Sequence, residues 1–324
     1  MNHRERMEAC IAGSPLDRPP VSLWRHFPVD DQTPGGLAAA VIDFQKRYDF
    51  DFVKVTPASS FCLKDWGVQD RWEGNPEGTR AYTRQVINQP DDWRKLQPLD
   101  PERGQLGAQL ECLRMIRAEI PGTPILQTIF SPLAQAKNLV GGENLNVHLR
   151  RYPQAVMAGL RTITTSTLRF VEQAMKTGID GCFYAVQHAQ YGLLTEQEYL
   201  QFARENDLEI LAAMHPGWIN LLHLHGTEIM FDLFQDYPVN ILNWHDLETP
   251  PSLPAAQKQT SNAVCGGLRQ WETMVLGTPE AVRAEAQAAI QATGGTRFVL
   301  GTGCVTPIIA PHGNILAARQ AVEE

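Results

Sequence analysis

Short, β-rich apolar runs alternate with segments of helical spacing along nearly the whole chain of 324 residues. Because these runs are apolar almost throughout, they indicate a parallel sheet with both faces covered. Eight such units in a chain of this length favour an α/β fold of the (β/α)8 TIM-barrel type, as one domain over residues 1–324. An open doubly wound sheet would normally carry a Gly-rich loop after its first strand, where this chain has Arg25-His26-Phe27-Pro28. The predicted strands are 20–26, 51–56, 124–130, 181–186, 219–225, 240–245, 263–268 and 296–303.

Apolar residues recur at i, i+3 and i+4 between several of these strands, which predicts helices. Thr195 and Glu198 form a capping-box pattern ahead of one of them. The predicted helices are 104–119, 153–177, 199–214, 278–292 and 311–322. The stretch 57–123, between the second and third predicted strands, is irregular and Pro-rich. We expect it to be an insertion that passes over the mouth of the barrel.

The charge pattern excludes several classes of function. The net charge is −8 and no dense stripe of Lys or Arg occurs, which argues against a nucleic-acid partner. No run of about 18 apolar residues predicts a membrane span. The charged first ten residues lack the apolar core of a secretory signal, so we expect a cytoplasmic protein. Six widely spaced cysteines without a CxxC pair then indicate free thiols.

Polar residues gather where the predicted strands end, which is where barrel enzymes place their chemistry. Five of the nine histidines lie at these ends, more than scattered placement suggests. The alternative is that they are ordinary loop histidines. The residues at strand ends that matter below are Arg25, His26, Lys54, Gln187, His188, His223, His225, His245 and Cys304.

The sequence Leu222-His223-Leu224-His225-Gly226 predicts a metal site. On a strand, residues i and i+2 point to one face, so both imidazoles face the lumen. Two neutral imidazoles suit zinc, although two hydrogen-bonded rim histidines would give the same pattern. Cys304 follows Gly301-Thr302-Gly303 at the end of the last strand and is the third predicted ligand. Three ligands with an open fourth position form a catalytic zinc site, and the other five cysteines are expected to be buried small hydrophobes.

Several segments together resemble the uroporphyrinogen decarboxylase family in its broad sense. That family includes zinc-containing, cobalamin-dependent methyltransferases, which move methyl groups between a corrinoid protein and a thiol or methyl donor. The resemblance covers nearly the whole chain and implies a corrinoid held on a separate protein, since nothing in this chain resembles a corrinoid domain. The segments that carry it are Asp17-Arg18-Pro19-Pro20-Val21, Asp51-Phe52-Val53-Lys54-Val55, Gly192-Leu193-Leu194-Thr195, Leu222-His223-Leu224-His225-Gly226, Gly301-Thr302-Gly303-Cys304-Val305-Thr306-Pro307 and Asn314-Ile315.

The methyltransferase branch resembles this chain more than the decarboxylase branch does. Its zinc motif is His-x-Cys with a distant Cys; His223 and Cys304 match, and His225 stands in place of the middle Cys. Histidine there leaves a more electrophilic ion, which leaves room for a methyl-ether donor as well as a thiol. The decarboxylase branch carries Phe-Ser-Asp-Ile, where this chain has Phe52-Val53-Lys54-Val55 and so a cation in place of the Asp. Uroporphyrinogen decarboxylation is therefore not the expected reaction.

The remaining rim residues receive predicted roles beside the metal. His188 and His245 are expected to orient groups or transfer protons, although either can equally be a satisfied rim histidine. Substrate binding is assigned to Arg25, His26, Lys54 and Gln187, with Arg25 and Lys54 holding an anionic group such as a carboxylate or sulfonate. Two alternatives remain open, a decarboxylase or other metal-dependent lyase or hydrolase, and a non-catalytic ligand-binding protein.

Overall fold

Seven parallel strands form one curled sheet in the computed structural model, which describes residues 1–323. Each strand of this sheet pairs in parallel with the next one along the chain, as the predicted α/β barrel requires. The strands of the sheet are β1 Val53–Val55, β4 Ile125–Phe130, β5 Gly181–Val186, β6 Leu221–Leu224, β7 Ile241–Trp244, β8 Ala263–Leu268 and β9 Phe298–Thr302, with β2 Gln69–Arg71 and β3 Ala81–Arg84 in a separate hairpin. Every residue in the seven strands of the main sheet is buried.

The first predicted strand, 20–26, is wrong as a regular strand. Val21 makes a single parallel bridge to Leu300. The Ser22 amide donates to the Leu300 carbonyl at 3.0 Å, and the Asp51 amide donates to the Val21 carbonyl at 2.9 Å. Because Pro19 and Pro20 have no N–H, this segment cannot build a full ladder. It nevertheless lies between β9 and β1, at the eighth position of the barrel.

Eleven α-helices surround the sheet in the described residues 1–323. They are α1 His3–Ala12, α2 Pro34–Tyr48, α3 Gly104–Glu119, α4 Pro132–Val140, α5 Gly142–Arg151, α6 Pro153–Lys176, α7 Glu196–Tyr199, α8 Glu205–Ala213, α9 Leu253–Gln259, α10 Pro279–Thr293 and α11 His312–Gln320. Helix α3 matches its prediction, and α6 and α10 match to within one residue at each end. The capping box at Thr195 is present, but a π-turn at Leu200–Arg204 interrupts the predicted helix 199–214. The last predicted helix ends in a 3-10 turn at Ala321–Glu323.

The insertion at 57–123 is more regular than predicted, since it holds β2, β3 and α3. Its loop around residues 75–80 reaches the mouth, where the Ile308 amide donates to the Pro76 carbonyl at 2.8 Å. Gly78 has φ +80, and a Cβ there would lie 2.6 Å from Cβ of His26. The insertion therefore packs against the rim residue His26.

A buried carboxylate ties the N-terminal segment to the barrel at the opposite end of the strands. Asp51 is fully buried and accepts hydrogen bonds from Arg6 at 2.5 Å, Arg18 at 2.7 Å and the Val21 amide at 2.8 Å. Burial alone would raise the pKa of Asp51, but hydrogen bonds from His3 and Arg18 hold it at about 2. This ion cluster ties α1 and the irregular first segment to β1. No helix in residues 1–323 has both the length and the apolar character needed to cross a bilayer.

Candidate metal centre

Three imidazoles and one thiol meet at the carboxyl end of the barrel. One possible ligand atom from each of His223, His225, His245 and Cys304 lies within 4.8 Å of the others. These residues end or follow β6, β7 and β9. Three are the ligands that the sequence predicts, and His245 is the rim residue for which the sequence predicts orientation or proton transfer. The cluster has the residue types that bind a transition metal.

The protonation of His223 is set by Asn243 on the neighbouring strand. The Asn243 side-chain NH2 donates to the carbonyls of Cys265 at 2.9 Å and Thr302 at 3.1 Å. Its Oδ1 is therefore an acceptor, and it lies 2.7 Å from Nδ1 of His223. The proton of His223 must then be on Nδ1, which leaves the lone pair on Nε2. That Nε2 is buried and has no hydrogen-bond partner.

His245 has the same arrangement with a different partner. Its Nδ1 lies 3.3 Å from Oε2 of Glu248, and a carboxylate oxygen can only accept when ionised. Its Nε2 is also buried without a partner. A histidine that binds a metal usually donates its other N–H to a carboxylate or carbonyl in this way. His223 and His245 thus both present an unused lone pair to the cluster.

His225 and Cys304 form the other half of the cluster. Nδ1 of His225 lies 3.6 Å from Sγ of Cys304. Burial lowers the pKa of His225 to about 4 and raises that of Cys304 to about 11. The imidazole is therefore neutral and the thiol protonated at neutral pH, and a bound cation would remove the thiol proton.

Gly303 allows this approach because it leaves space between β9 and β7. A Cβ at Gly303 would lie 2.7 Å from Cα of His245 and 3.0 Å from the Trp244 carbonyl oxygen. Both neighbours are backbone atoms at the end of β7, so neither can yield to a side chain. A residue without a Cβ is thus needed where β9 passes β7 and delivers Cys304 to the histidines.

Lys54 extends into the lumen beside the cluster. Its Nζ lies 4.5 Å from the ring centroid of Phe183 and 3.2 Å from Oγ1 of Thr56. No carboxylate in residues 1–323 forms an ion pair with it, and the side chain is buried. Burial lowers the pKa of Lys54 to about 7, although the nearby Cys304 favours the charged form. The lumen therefore holds a lysine whose ammonium form has no carboxylate counter-ion in the described part of the chain.

Two residues after β5, Gln187 and His188, lie at the rim as predicted. His188 is buried, and its Nδ1 has no hydrogen-bond partner. Oε1 of Gln187 accepts a hydrogen bond of 2.9 Å from Nζ of Lys137. Sequence reasoning missed Lys137, because α4 was not predicted. The available signal was a lysine inside the apolar segment that follows a predicted strand.

Arg25 and His26 point to opposite sides of the first segment. His26 is buried beside Gly78, and its Nδ1 is unpartnered. The Arg25 guanidinium instead packs over the rings of Phe27 and Phe44, each with its centroid 5.1 Å away. Phe44 lies on α2, in the outer helix layer. The structure therefore does not bring Arg25 together with the imidazoles.

The family of the chain follows from its sequence as a whole. A profile described as "Uroporphyrinogen decarboxylase (URO-D)" matches residues 2–324. The chain belongs to the uroporphyrinogen decarboxylase family. No curated protein matches the sequence significantly.

Two solved structures share the fold of this family member. A methyltransferase from Methanosarcina mazei superposes with a TM-score of 0.82 at 17% identity, over 100% of this chain and 98% of that one. A B12-independent methionine synthase from Shewanella sp. W3-18-1, in complex with selenomethionine, gives a TM-score of 0.61 at 13% identity, over 93% and 91%. At these identities the likeness establishes the barrel fold.

Proposed function

We propose that the protein is a zinc-dependent methyltransferase that moves a methyl group between a corrinoid carried on a separate protein and a small thiol or methyl-ether substrate. The observation that carries this proposal is the cluster of three imidazoles and one thiol at the barrel mouth. Membership of the uroporphyrinogen decarboxylase family and the fold likeness to a methyltransferase support it. Uroporphyrinogen decarboxylation itself is not favoured, because Lys54 puts a cation in the lumen at the position where the decarboxylase branch carries an Asp.

The donor set suits zinc. His223, His225 and Cys304 are the proposed ligands, and together they supply two nitrogens and one sulfur. A tetrahedral zinc ion holds a nitrogen and a sulfur ligand about 3.5 Å apart, given bonds of about 2.0–2.1 and 2.3 Å. The observed separation of Nδ1 of His225 and Sγ of Cys304 is 3.6 Å. When bound, zinc supplies a Lewis acid that converts a thiol to a thiolate or withdraws charge from an ether oxygen.

We propose that His245 transfers a proton and that His188 orients neighbouring groups. The partner of His223 is the fully buried Asn243, whereas the partner of His245 is Glu248, whose side chain is 43% exposed. His245 is therefore the least constrained member of the cluster. We propose that it yields its place beside the metal to the substrate and accepts the proton that a thiol releases, with Glu248 holding the proton on the opposite ring nitrogen.

Lys54 has a proposed electrostatic role in the same reaction. Its charge lies close enough to Cys304 to influence the thiol, and it forms no ion pair with a carboxylate of residues 1–323. A cation in this position stabilises negative charge on a thiolate or on a leaving alkoxide. His26 and Gln187 are proposed substrate contacts at the rim, whereas Arg25 is not, because it packs in the helix layer.

Spectroscopy of the corrinoid tests the proposal. In the presence of the zinc-loaded protein, a substrate thiol should convert methylcob(III)alamin to cob(I)alamin. A substrate methyl ether should instead convert cob(I)alamin to methylcob(III)alamin. His223→Ala should abolish the change, and His215→Ala, at an exposed site remote from the cluster, should leave it intact. Bound zinc without any corrinoid change would contradict methyl transfer and favour a metal-dependent lyase or hydrolase. A protein that binds no metal would indicate a non-catalytic ligand-binding role.

A further inference from the structure

Lys137 lies at the rim and forms no ion pair with any residue that the structure describes. It lies on α4, directly after β4, and its only described side-chain hydrogen bond goes to the neutral Gln187. No Asp or Glu of residues 1–323 lies within ion-pair distance of its Nζ. Burial lowers its pKa. A half-buried ammonium group of this kind is stabilised by an anion, and the described residues supply none.

His188 offers a second unused polar group at the same place. The side chain is 4% exposed, and its Nδ1 has no partner. The charge of Lys137 acts on this imidazole strongly enough to lower its pKa further, after burial. The two groups are neighbours, since Nζ of Lys137 lies 2.9 Å from Oε1 of Gln187, the residue before His188. A neutral imidazole can still donate one N–H to an acceptor between them.

The strand order places these groups beside the ligand cluster, because β5 pairs directly with β6. Lys137 and His188 follow β4 and β5, whereas the proposed ligands end or follow β6 and β9. Backbone geometry joins the two groups, since the His225 amide donates to the Val186 carbonyl at 2.9 Å and Gln187 and His188 directly follow Val186. A small molecule lying across the carboxyl ends of β5 and β6 can contact both sides at once.

We infer that Lys137 and His188 form a binding site for the carboxylate of the substrate, whose methyl-carrying or methyl-accepting atom lies at the metal centre. The carboxylate accepts hydrogen bonds from Nζ of Lys137 and from the His188 ring, and Gln187 holds the lysine in place. This inference rests on the proposed function for the reacting end of the substrate. It narrows the substrate class from any small thiol or methyl ether to one that carries a carboxylate.

Matched pairs of probes test the inference by calorimetric titration of the zinc-loaded protein. The thiol pair is 3-mercaptopropionate and 3-mercapto-1-propanol; the ether pair is 3-methoxypropionate and 3-methoxy-1-propanol. In at least one pair, the carboxylate should bind at least about tenfold more tightly than the alcohol, as expected for a charge-assisted hydrogen bond. Lys137→Met should remove this preference and leave binding of the alcohol unchanged. Lys137→Arg should retain most of it.

Lys258→Met is the control, because Lys258 lies on α9 and forms no side-chain hydrogen bond or ion pair within residues 1–323. Equal affinity for acid and alcohol in the wild-type protein, no binding of any probe, or an unchanged preference in Lys137→Met would overturn the inference. The corrinoid assay is separate. If the carboxylate binds through Lys137 but no methyl transfer occurs, the carboxylate site stands and the proposed reaction is refuted. If methyl transfer occurs without a preference for the carboxylate, the proposed reaction stands and the carboxylate site is refuted.

Discussion

Asn243 accepts a hydrogen bond of 2.7 Å from Nδ1 of His223 and thereby directs the lone pair on Nε2 toward the neighbouring histidines and Cys304. The amide cannot rotate to reverse this bond, because its NH2 group is held by the carbonyls of Cys265 and Thr302. Three strands, β7, β8 and β9, thus determine the tautomer of one residue on β6. The imidazole is prepared for metal binding before any ion enters.

Replacement of Asn243 should weaken metal binding. Asn243→Leu removes the acceptor, so we expect a loss of about 10–100-fold in zinc affinity, measured by competition with a chelator. Asn243→Asp keeps an acceptor for the His223 proton and should lose much less affinity. Both variants leave the Cys265 and Thr302 carbonyls without their donor, so their unfolding midpoints should both fall. Equal zinc affinity in the Leu and Asp variants would contradict the role of the tautomer.

His225→Cys should change which methyl group is used. A second thiolate makes the bound ion less electrophilic, which disfavours activation of an ether oxygen and favours thiolate chemistry. We expect zinc to remain bound and the rate with methyl ethers to fall. The rate with thiols should rise relative to the rate with methyl ethers. The ratio of the two corrinoid-coupled rates is the measurement. An unchanged ratio would show that residue 225 does not determine the donor.

Lys54→Met should stabilise the fold while lowering activity. The pKa of Lys54 falls to about 7 in the folded protein because the charged form is buried, compared with about 10.4 in an unfolded chain. The unfolded state then binds more protons between these pH values, so burial of Lys54 costs most below pH 7 and nothing above about pH 10.4. The variant should gain roughly 1–3 kcal/mol in unfolding free energy at pH 6, and less as the pH rises.

The second measurement on Lys54→Met is its rate of methyl transfer at pH 6. Loss of methyl transfer by about 100-fold or more, with unchanged zinc content, would assign Lys54 to the reaction. A variant that is less stable than the wild-type protein at pH 6 would contradict the burial penalty.

Asp51→Asn should destabilise the barrel. The carboxylate is fully buried among Arg6, Arg18 and His3, and loss of one partner of such a cluster costs about 3–5 kcal/mol. Because the folded pKa of about 2 lies below the unfolded value, the wild-type contribution is complete above about pH 4 and is lost as the pH falls toward 2. Denaturant unfolding between pH 7 and pH 3 measures both effects.

Asp91→Asn is the matched control, since the Asp91 side chain is 79% exposed. It should change the unfolding free energy by less than about 0.5 kcal/mol. A similar small change in Asp51→Asn would show that the buried cluster does not hold the first segment.

The sequence predicted the barrel because its strands are short, apolar and separated by helical segments, a pattern that local periodicity carries well. It overestimated the first strand, because the bridge from Val21 to Leu300 depends on an eighth position that Pro19 and Pro20 only partly allow. The π-turn at Leu200–Arg204 has no comparable sequence signature. Tertiary packing decides both features.

For the candidate site, the spacing of His223 and His225 indicated one shared face, and the Gly-rich end of β9 indicated Cys304. Sequence alone cannot show that Asn243 orders the tautomer, since that requires knowing which carbonyls surround its amide. Nor can it separate Arg25, which packs against Phe44, from Lys54, which enters the lumen. The direction of a side chain at a strand end depends on the register of that strand. The position of Lys137 depends on α4, a helix that the sequence did not predict.

Metal analysis of the purified protein, combined with X-ray absorption at the zinc edge, tests the metal centre most directly. We expect about one zinc ion per chain, with nitrogen ligands at about 2.0–2.1 Å and one sulfur ligand at about 2.3 Å. Cys304→Ser should remove the sulfur signal, whereas Cys62→Ser, at a buried cysteine outside the cluster, should retain it. A protein that takes up no zinc, or a sulfur signal that persists in Cys304→Ser, would contradict the proposed centre.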